Sequence, residues 1–316
     1  MAARAQPLTD DARRTDPYRS RLDPEPALVD RVDPVVYGKG APPPGLDRAM
    51  VERYERDGFI ELEGLLQPAE LAALQRELVR LREDTRGIDP DTLICEPGGT
   101  QLRSIFAIHE QSALIRRLAT DERLVRIAQY LLGDEVYIHQ SRLNYKPGFF
   151  GKEFYWHSDF ETWHTEDGMP RMRALSMSIA LTENTGFNGP LMVIPGSHRR
   201  YVSCVGETPE DHYKQSLRRQ EYGVPDPGSL ERLFNEGGGI TTFTGAPGKI
   251  VLFDCNAMYG SNSNISPLPR SNVFLVFNSV TNRLVAPYAA AKPRPEFIAA
   301  RRNVTALVPR SGPLCD

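Results

Sequence analysis

Beyond Gly133 the chain breaks into short runs of β-forming residues separated by Gly, Pro and Asn, and no other feature limits the fold so strongly. The runs cover residues 135–146, 174–181, 191–194, 249–254 and 272–280. Strands spaced this way, with long insertions and no alternating helices, suit an antiparallel double-sheet barrel or jelly roll better than βαβ units. The expected class is mainly β with flanking helices. In the first run Gln140, Arg142, Asn144 and Lys146 fall on one face, and His139, Ser141, Leu143 and Tyr145 on the other. Solvent would explain such a polar face on an outer strand. On the inner wall of a barrel the same residues become a row of ligand contacts.

The first half of the chain reads differently. Residues 1–45 are rich in Arg, Asp and Pro, a composition that buries little apolar surface, so a partly disordered N-terminal arm is expected. Val35, Val36 and Tyr37 are its candidate anchor. A helix is expected over residues 46–56, stopped at Asp57-Gly58, then a short strand at residues 59–62. Pro68 begins a second helix running to about Arg86, because Leu71, Leu74, Leu78 and Leu81 recur along one face. These leucines read as core, since the run is too short for a sustained heptad. Residues 112–132 form a further helical region, with Ser112 and Asp121 as candidate N-caps and Gly133 as its stop. From residue 46 to 310 one domain is expected. Residues 199–238 interrupt it as a charged, lid-like insertion with a short helix near residues 213–220.

A net charge of −3 over 316 residues gives no electrostatic footprint for nucleic acid or a membrane surface. No apolar run reaches the length of a membrane span, so a cytoplasmic protein is expected. Cys95, Cys204, Cys255 and Cys315 lie far apart and suggest neither a disulfide framework nor a zinc ribbon.

The chemistry concentrates in Phe154-Tyr155-Trp156-His157-Ser158-Asp159-Phe160-Glu161-Thr162-Trp163-His164. His157 and Asp159 stand two apart, so at a strand end both side chains leave the same face. One imidazole and one carboxylate are two-thirds of the facial triad that holds non-haem Fe(II) with open positions. Three further pieces join them. Residues 189–198 read as a strand and a tight turn, Phe253-Asp254-Cys255-Asn256-Ala257-Met258-Tyr259-Gly260-Ser261-Asn262 ends another strand, and Pro269-Arg270-Ser271-Asn272 opens the last.

With these pieces the sequence resembles the phytanoyl-CoA dioxygenase superfamily of Fe(II)- and 2-oxoglutarate-dependent oxygenases, and within it the ectoine-hydroxylating branch. The resemblance runs from Asp33-Pro34-Val35-Val36-Tyr37-Gly38, through Arg103-Ser104-Ile105-Phe106-Ala107-Ile108-His109, to Asn282. It implies a double-stranded β-helix of the cupin-like kind, Fe(II) and 2-oxoglutarate as cofactor and cosubstrate, O₂ as oxidant, and a homodimer. It implies hydroxylation of ectoine to 5-hydroxyectoine with release of succinate and CO₂. On the same basis His157 and Asp159 are iron ligands, Arg270 and Lys146 are contacts to 2-oxoglutarate, and Gln140 and Trp163 are contacts to ectoine. The residues themselves add Asn144, on the polar face with Lys146, and Ser261, in the motif ahead of Arg270, as further candidates for 2-oxoglutarate, and Phe277 as a candidate second aromatic wall.

One position departs from the family pattern. The third iron ligand should be a histidine in Cys-Asn-x-x-His-Gly, and here Tyr259 stands in its place. A phenol is longer than an imidazole and must lose its proton to ligate well. His198, in the turn after Pro195-Gly196-Ser197, reads as structural. Two readings therefore stand at this point: an active oxygenase, and a non-catalytic relative that binds an ectoine-like solute or 2-oxoglutarate.

Overall fold

In the computed structural model, which describes residues 15–218, 222–302 and 304–315, the expected runs become strands of two facing antiparallel sheets. Along the chain the strands are β1 (Ala27–Asp30), β2 (Phe59–Leu62), β3 (Leu93–Cys95), β4 (Leu102–Phe106), β5 (Val136–Lys146), β6 (Phe154–His157), β7 (Ala174–Ala180), β8 (Leu191–Val193), β9 (Arg200–Ser203), β10 (Thr241–Thr242), β11 (Ile250–Asp254), β12 (Tyr259–Ser261) and β13 (Arg270–Ser279). The larger sheet has the order β2-β11-β7-β13-β5-β4-β3 and the smaller one β10-β8-β12-β6. This is the mainly β, jelly-roll class that the strand spacing predicts.

Period-two alternation gives each face of the large sheet its own task. Leu143 and Tyr145 of β5, Leu175 and Met177 of β7, and Val273 and Leu275 of β13 join one core with the helical leucines Leu74, Leu78 and Leu81. The opposite face looks into the barrel. There Phe253 of β11 and Phe274 of β13 share a cluster with Leu191, Val193 and Tyr259 of the small sheet.

The helices follow their end signals. Arg48–Asp57 begins at Asp47, whose side chain accepts the Met50 N–H at 2.7 Å. It ends at Gly58, with φ 83°. A Cβ at Gly58 would lie 2.4 Å from His198 Nδ1, so both conformation and space require glycine. Helix Pro68–Glu83 starts with the Glu70 carboxylate accepting the Gln67 N–H at 2.8 Å, and stops short of Arg86 because Asp84 is extended. Ser112 and Asp121 are both caps, but of separate helices, Ala113–Ala119 and Glu122–Leu132. Within residues 199–238 lie β9 and the helices Tyr213–Ser216 and Pro227–Gly237. The expected end of the first helix at Gln220 lies outside the described residues, as does the expected disordered tip within residues 1–14.

A bulge corrects the reading of β5. Val276 pairs with Gln140 and Phe277 with Ile138, so the register skips His139. Such a bulge re-aims a side chain, and His139 is turned to lie beside Trp163, ring centroids 4.9 Å apart. It is not on the face opposite Gln140, as strict alternation would have it.

The N-terminal arm also departs from expectation. Its β1 pairs with β9, and Val35 and Val36 pack on the helical core as anticipated. Ahead of them, however, the arm does not merely wrap a surface. Tyr18 is fully buried against Phe160, with ring centroids 5.2 Å apart. Ser20 Oγ donates to Glu161 at 2.6 Å, and Arg21 donates to Glu161 and to Glu166, each at 2.6 Å. Burial alone would push the Arg21 guanidinium down, and the two carboxylates more than offset it, so it stays charged.

Two stability tests come from this packing. Arg21→Ala leaves Glu161 buried without its cation and Glu166 with Arg294 at 3.8 Å, and should cost about 3–5 kcal/mol in urea unfolding; a change under about 1 kcal/mol would mean the pair is solvated. The second concerns acid. Burial depresses His139 to about 3 and His109 and His198 to about 4, from an ordinary 6.5. The unfolded chain then binds more protons between pH 6.5 and 4, so stability falls as pH drops through that window. By pH 5 each histidine should remove about 2 kcal/mol. His139→Leu should flatten the pH profile of unfolding by one such share, and an unchanged slope would show that His139 does not titrate as a buried neutral group.

Candidate functional site

The last residue of β6, the turn after it and the first residue of β12 bring three side chains together. His157 is buried, and its Nδ1 faces the Tyr155 carbonyl oxygen at 2.6 Å. The ring proton therefore belongs on Nδ1, leaving the Nε2 lone pair free. Burial also pushes this imidazole below its ordinary range, towards the neutral form that can ligate. Asp159 opens the short helix Asp159–Thr162, whose N-cap Ser158 accepts the Glu161 N–H. Its Oδ1 lies 3.9 Å from His157 Nε2.

Tyr259 pairs directly with His157 across the β6–β12 ladder. Its ring sits 4.4 Å from the imidazole, centroid to centroid, and its hydroxyl donates to Asp159 Oδ1 at 2.8 Å. Burial, with the Asp159 charge second, holds the phenol well above its usual range. His198 takes no part: it is buried, and its Nε2 meets the Glu55 carbonyl oxygen at 3.2 Å.

A row of cations runs along the inner faces of β5 and β13. Lys146 pairs with Arg270, Asn144 with Asn272, Arg142 with Phe274 and Gln140 with Val276, each pair inward-facing. The Lys146 ammonium donates to Ser261 Oγ at 2.7 Å and to the Asn262 carbonyl oxygen at 2.6 Å. Asn144 accepts the Ser104 hydroxyl at 2.5 Å. Arg270 is 3% exposed, and its Nε finds no hydrogen-bond partner among the described residues. Neither do Nε of Arg103 and Nε of Arg142. Burial, then Arg103 and Arg142, push Arg270 down to about 10, and burial with Arg270 depresses Lys146 as well. Buried cations with donors to spare fit an anion.

A pocket is lined by Gln140, Trp163, Thr162 and Phe106 together with His157 and Asp159. Trp163 is buried and begins the π-helical turn Trp163–Asp167. Gln140 Nε2 donates to the Ile298 carbonyl oxygen at 2.8 Å, leaving its own carbonyl turned to the Arg142 side. Phe277 is not among these residues. The register that pairs it with Ile138 sends its ring into the helix-facing core, and the inward aromatic of β13 is Phe274. His164, which sequence suggests as a pocket or lid residue, is fully buried between Asp16 and the Met169 carbonyl oxygen.

Arg142, Arg294, Ser216 and Leu217 also line the pocket, and sequence reasoning missed or undervalued them. Arg142 was legible on the polar face of β5. No pattern marks Arg294, which reaches the site from the segment after β13 and is held by Asp167 at 2.9 Å.

His157 and Asp159 fit two corners of an iron site. One offers a free imidazole nitrogen and the other a carboxylate with an open oxygen. No group of three His, Cys, Asp or Glu suited to a metal occurs among the described residues, because Tyr259 holds the third corner.

The model of the phytanoyl-CoA dioxygenase family (PhyH) matches residues 54–272. Among its relatives, ectoine dioxygenase of Bordetella bronchiseptica is 57% identical over 294 residues, covering 93% of this chain and 95% of that one. Ectoine dioxygenase of Sphingopyxis alaskensis is 56% identical, covering 95% and 97%. The crystal structure of EctD from S. alaskensis with 2-oxoglutarate and 5-hydroxyectoine superposes with a TM-score of 0.87 at 51% identity, over 95% of this chain and 100% of that one. The same enzyme with bound Fe gives 0.86 at 50%, with the same coverage. With its jelly roll and its paired His157 and Asp159, the chain belongs to the phytanoyl-CoA dioxygenase family.

Proposed function

We propose that this protein hydroxylates ectoine to 5-hydroxyectoine, consuming 2-oxoglutarate and O₂ at Fe(II) and releasing succinate and CO₂. The observation that carries the reading is the meeting, in one pocket, of His157, Asp159, the Trp163 indole, the Gln140 amide and the Arg142 guanidinium, with Lys146 and Arg270 further along the same β5–β13 ladder. The similarity to ectoine dioxygenases supports the substrate.

On this reading His157 and Asp159 hold the iron, and bound iron supplies the activation of O₂ that no side chain can perform. The residues supply position and charge. Arg270 grips the distal carboxylate of 2-oxoglutarate, because a guanidinium fork matches a carboxylate through two parallel hydrogen bonds. Lys146, steadied by Ser261, adds a second positive charge, and Asn144 fixes the wall between them. Ectoine carries a delocalised amidinium cation, which the Trp163 indole attracts by roughly 0.5–2 kcal/mol. Gln140 offers it a carbonyl, and Arg294 is placed to meet its carboxylate.

Residues 46–310 act as one catalytic domain, and the 199–238 insertion serves as a lid, since Ser216 and Leu217 border the pocket. A cytoplasmic homodimer completes the reading. No described helix is long and apolar enough to cross a membrane.

The test is turnover: the full chain with Fe(II), 2-oxoglutarate and ectoine should form hydroxyectoine and succinate in equal amounts. Arg270→Gln should raise the KM for 2-oxoglutarate at least tenfold, the size of a lost charge-assisted pair of about 1.5–3 kcal/mol. Trp163→Leu should raise the KM for ectoine about 2–30-fold and leave that for 2-oxoglutarate unchanged. Succinate release that ignores ectoine would remove the substrate assignment, and no 2-oxoglutarate consumption at all would favour the non-catalytic binder.

A further inference from the structure

Tyr259 stands where β12 delivers a side chain to His157 and Asp159, and its surroundings define what its oxygen can do. The ring is 4% exposed and lies between the His157 imidazole, at 4.4 Å, and the Phe253 ring, at 5.1 Å. Neighbours on both sides leave it little freedom to swing. The hydroxyl proton is committed to Asp159 Oδ1 at 2.8 Å, and the Arg142 guanidinium approaches the same phenol oxygen. The phenol proton is thus engaged.

Asp159 depends on that contact. Among the described residues its Oδ2 receives only a long interaction from Ser176 Oγ, at 3.4 Å, so the short bond from Tyr259 is the stronger hold on the plane of the carboxylate. A carboxylate oxygen has two lone pairs, and Oδ1 can accept the phenol proton while still facing the space beside His157 Nε2. For Tyr259 to become a ligand, it would have to abandon Asp159 and present a second anion directly beside it. Like charges that close, in a buried site, oppose one another.

We infer that Tyr259 is a positioning residue, which orients Asp159 through its hydroxyl and stays outside the metal's coordination sphere, so that this protein supplies two iron ligands and not three. The inference rests on the iron-dependent reading above. It makes the site more open than a three-ligand centre and ties metal affinity to a hydrogen bond.

Anaerobic Fe(II) titration of the full chain, Tyr259→Phe and Tyr259→His, followed by oxidation to Fe(III) and visible spectroscopy, tests it. The wild-type Fe(III) protein should lack the intense phenolate-to-iron charge-transfer band. Tyr259→Phe should bind Fe(II) about 10–100-fold more weakly, the usual cost of losing a group that orients a ligand. Tyr259→His, which adds a nitrogen donor, should bind at least tenfold more tightly than wild type. A phenolate band in the wild type that disappears in Tyr259→Phe overturns the inference, and so does an affinity unaltered by that change. Should Tyr259→Phe not fold, the wild-type spectrum and Tyr259→His still decide. Iron binding without the band and without hydroxyectoine formation upholds the inference and sinks the substrate assignment. Failure of both wild type and Tyr259→His to bind iron overturns both.

Discussion

The pairing of β5 with β13 is the constraint on which the rest of the structure depends. One face of this ladder places Leu143 opposite Val273 in the apolar core, and the other places Lys146 opposite Arg270 and Asn144 opposite Asn272. A slip of one residue would exchange the two faces, sending the cations into the helical core and the aliphatic side chains into the pocket. The apolar face therefore specifies the functional one. Register is secured by burial of residues that never touch a ligand, and the polar row inherits its geometry. The bulge at His139 then breaks alternation once and sets its ring against Trp163.

A second constraint acts from outside the barrel. The segment from Asp159 to Asp167 carries Asp159 at one end and the pocket indole in the middle, yet it belongs to neither sheet. It is held by Ser20 and Arg21 of the arm and by Arg294 from the segment after β13. Buried ion pairs seldom stabilise a fold more than a well-packed apolar substitute would, so their value here is in geometry. Gly168 closes the segment with φ 77°, where a Cβ would come within 2.2 Å of the Val285 carbonyl oxygen. Glycine lets the chain turn there and pack against that later segment.

Much of this was legible in the sequence, and the boundary is physical. Strand runs, caps at Ser112 and Asp121, and the stop at Gly58 follow from local chemistry, and local chemistry was enough to place them. The polar face of β5 was visible because alternation is local too. Phe277 was misplaced because a strand's absolute facing depends on its partners: Phe274 and Phe277 are three apart, so they take opposite faces, and only the ladder decides which is inward. Arg21 and Arg294 were invisible as partners of one segment, since nothing local links residues separated by 140 and 127 positions from Glu161 and Asp167. For Tyr259 the sequence showed the departure from the family motif, while the structure was needed to show its hydroxyl on Asp159.

The buried cations inside the barrel carry a cost that the apolar core must offset. Arg103, Arg142, Lys146 and Arg270 crowd one interior, where Glu96 bonds to Arg103 at 2.8 Å. Burial pushes Arg103, Lys146 and Arg270 towards losing their protons, and Nε of Arg103, Arg142 and Arg270 finds no hydrogen-bond partner among the described residues. Each such group destabilises the folded chain when no anion is bound. The core between the helices and the large sheet offsets that cost, which is why the site can stay charged and ready. An anion entering there is met by donors already oriented by β5 and β13, with little rearrangement, and its binding energy adds to the stability of the same ladder that built the site.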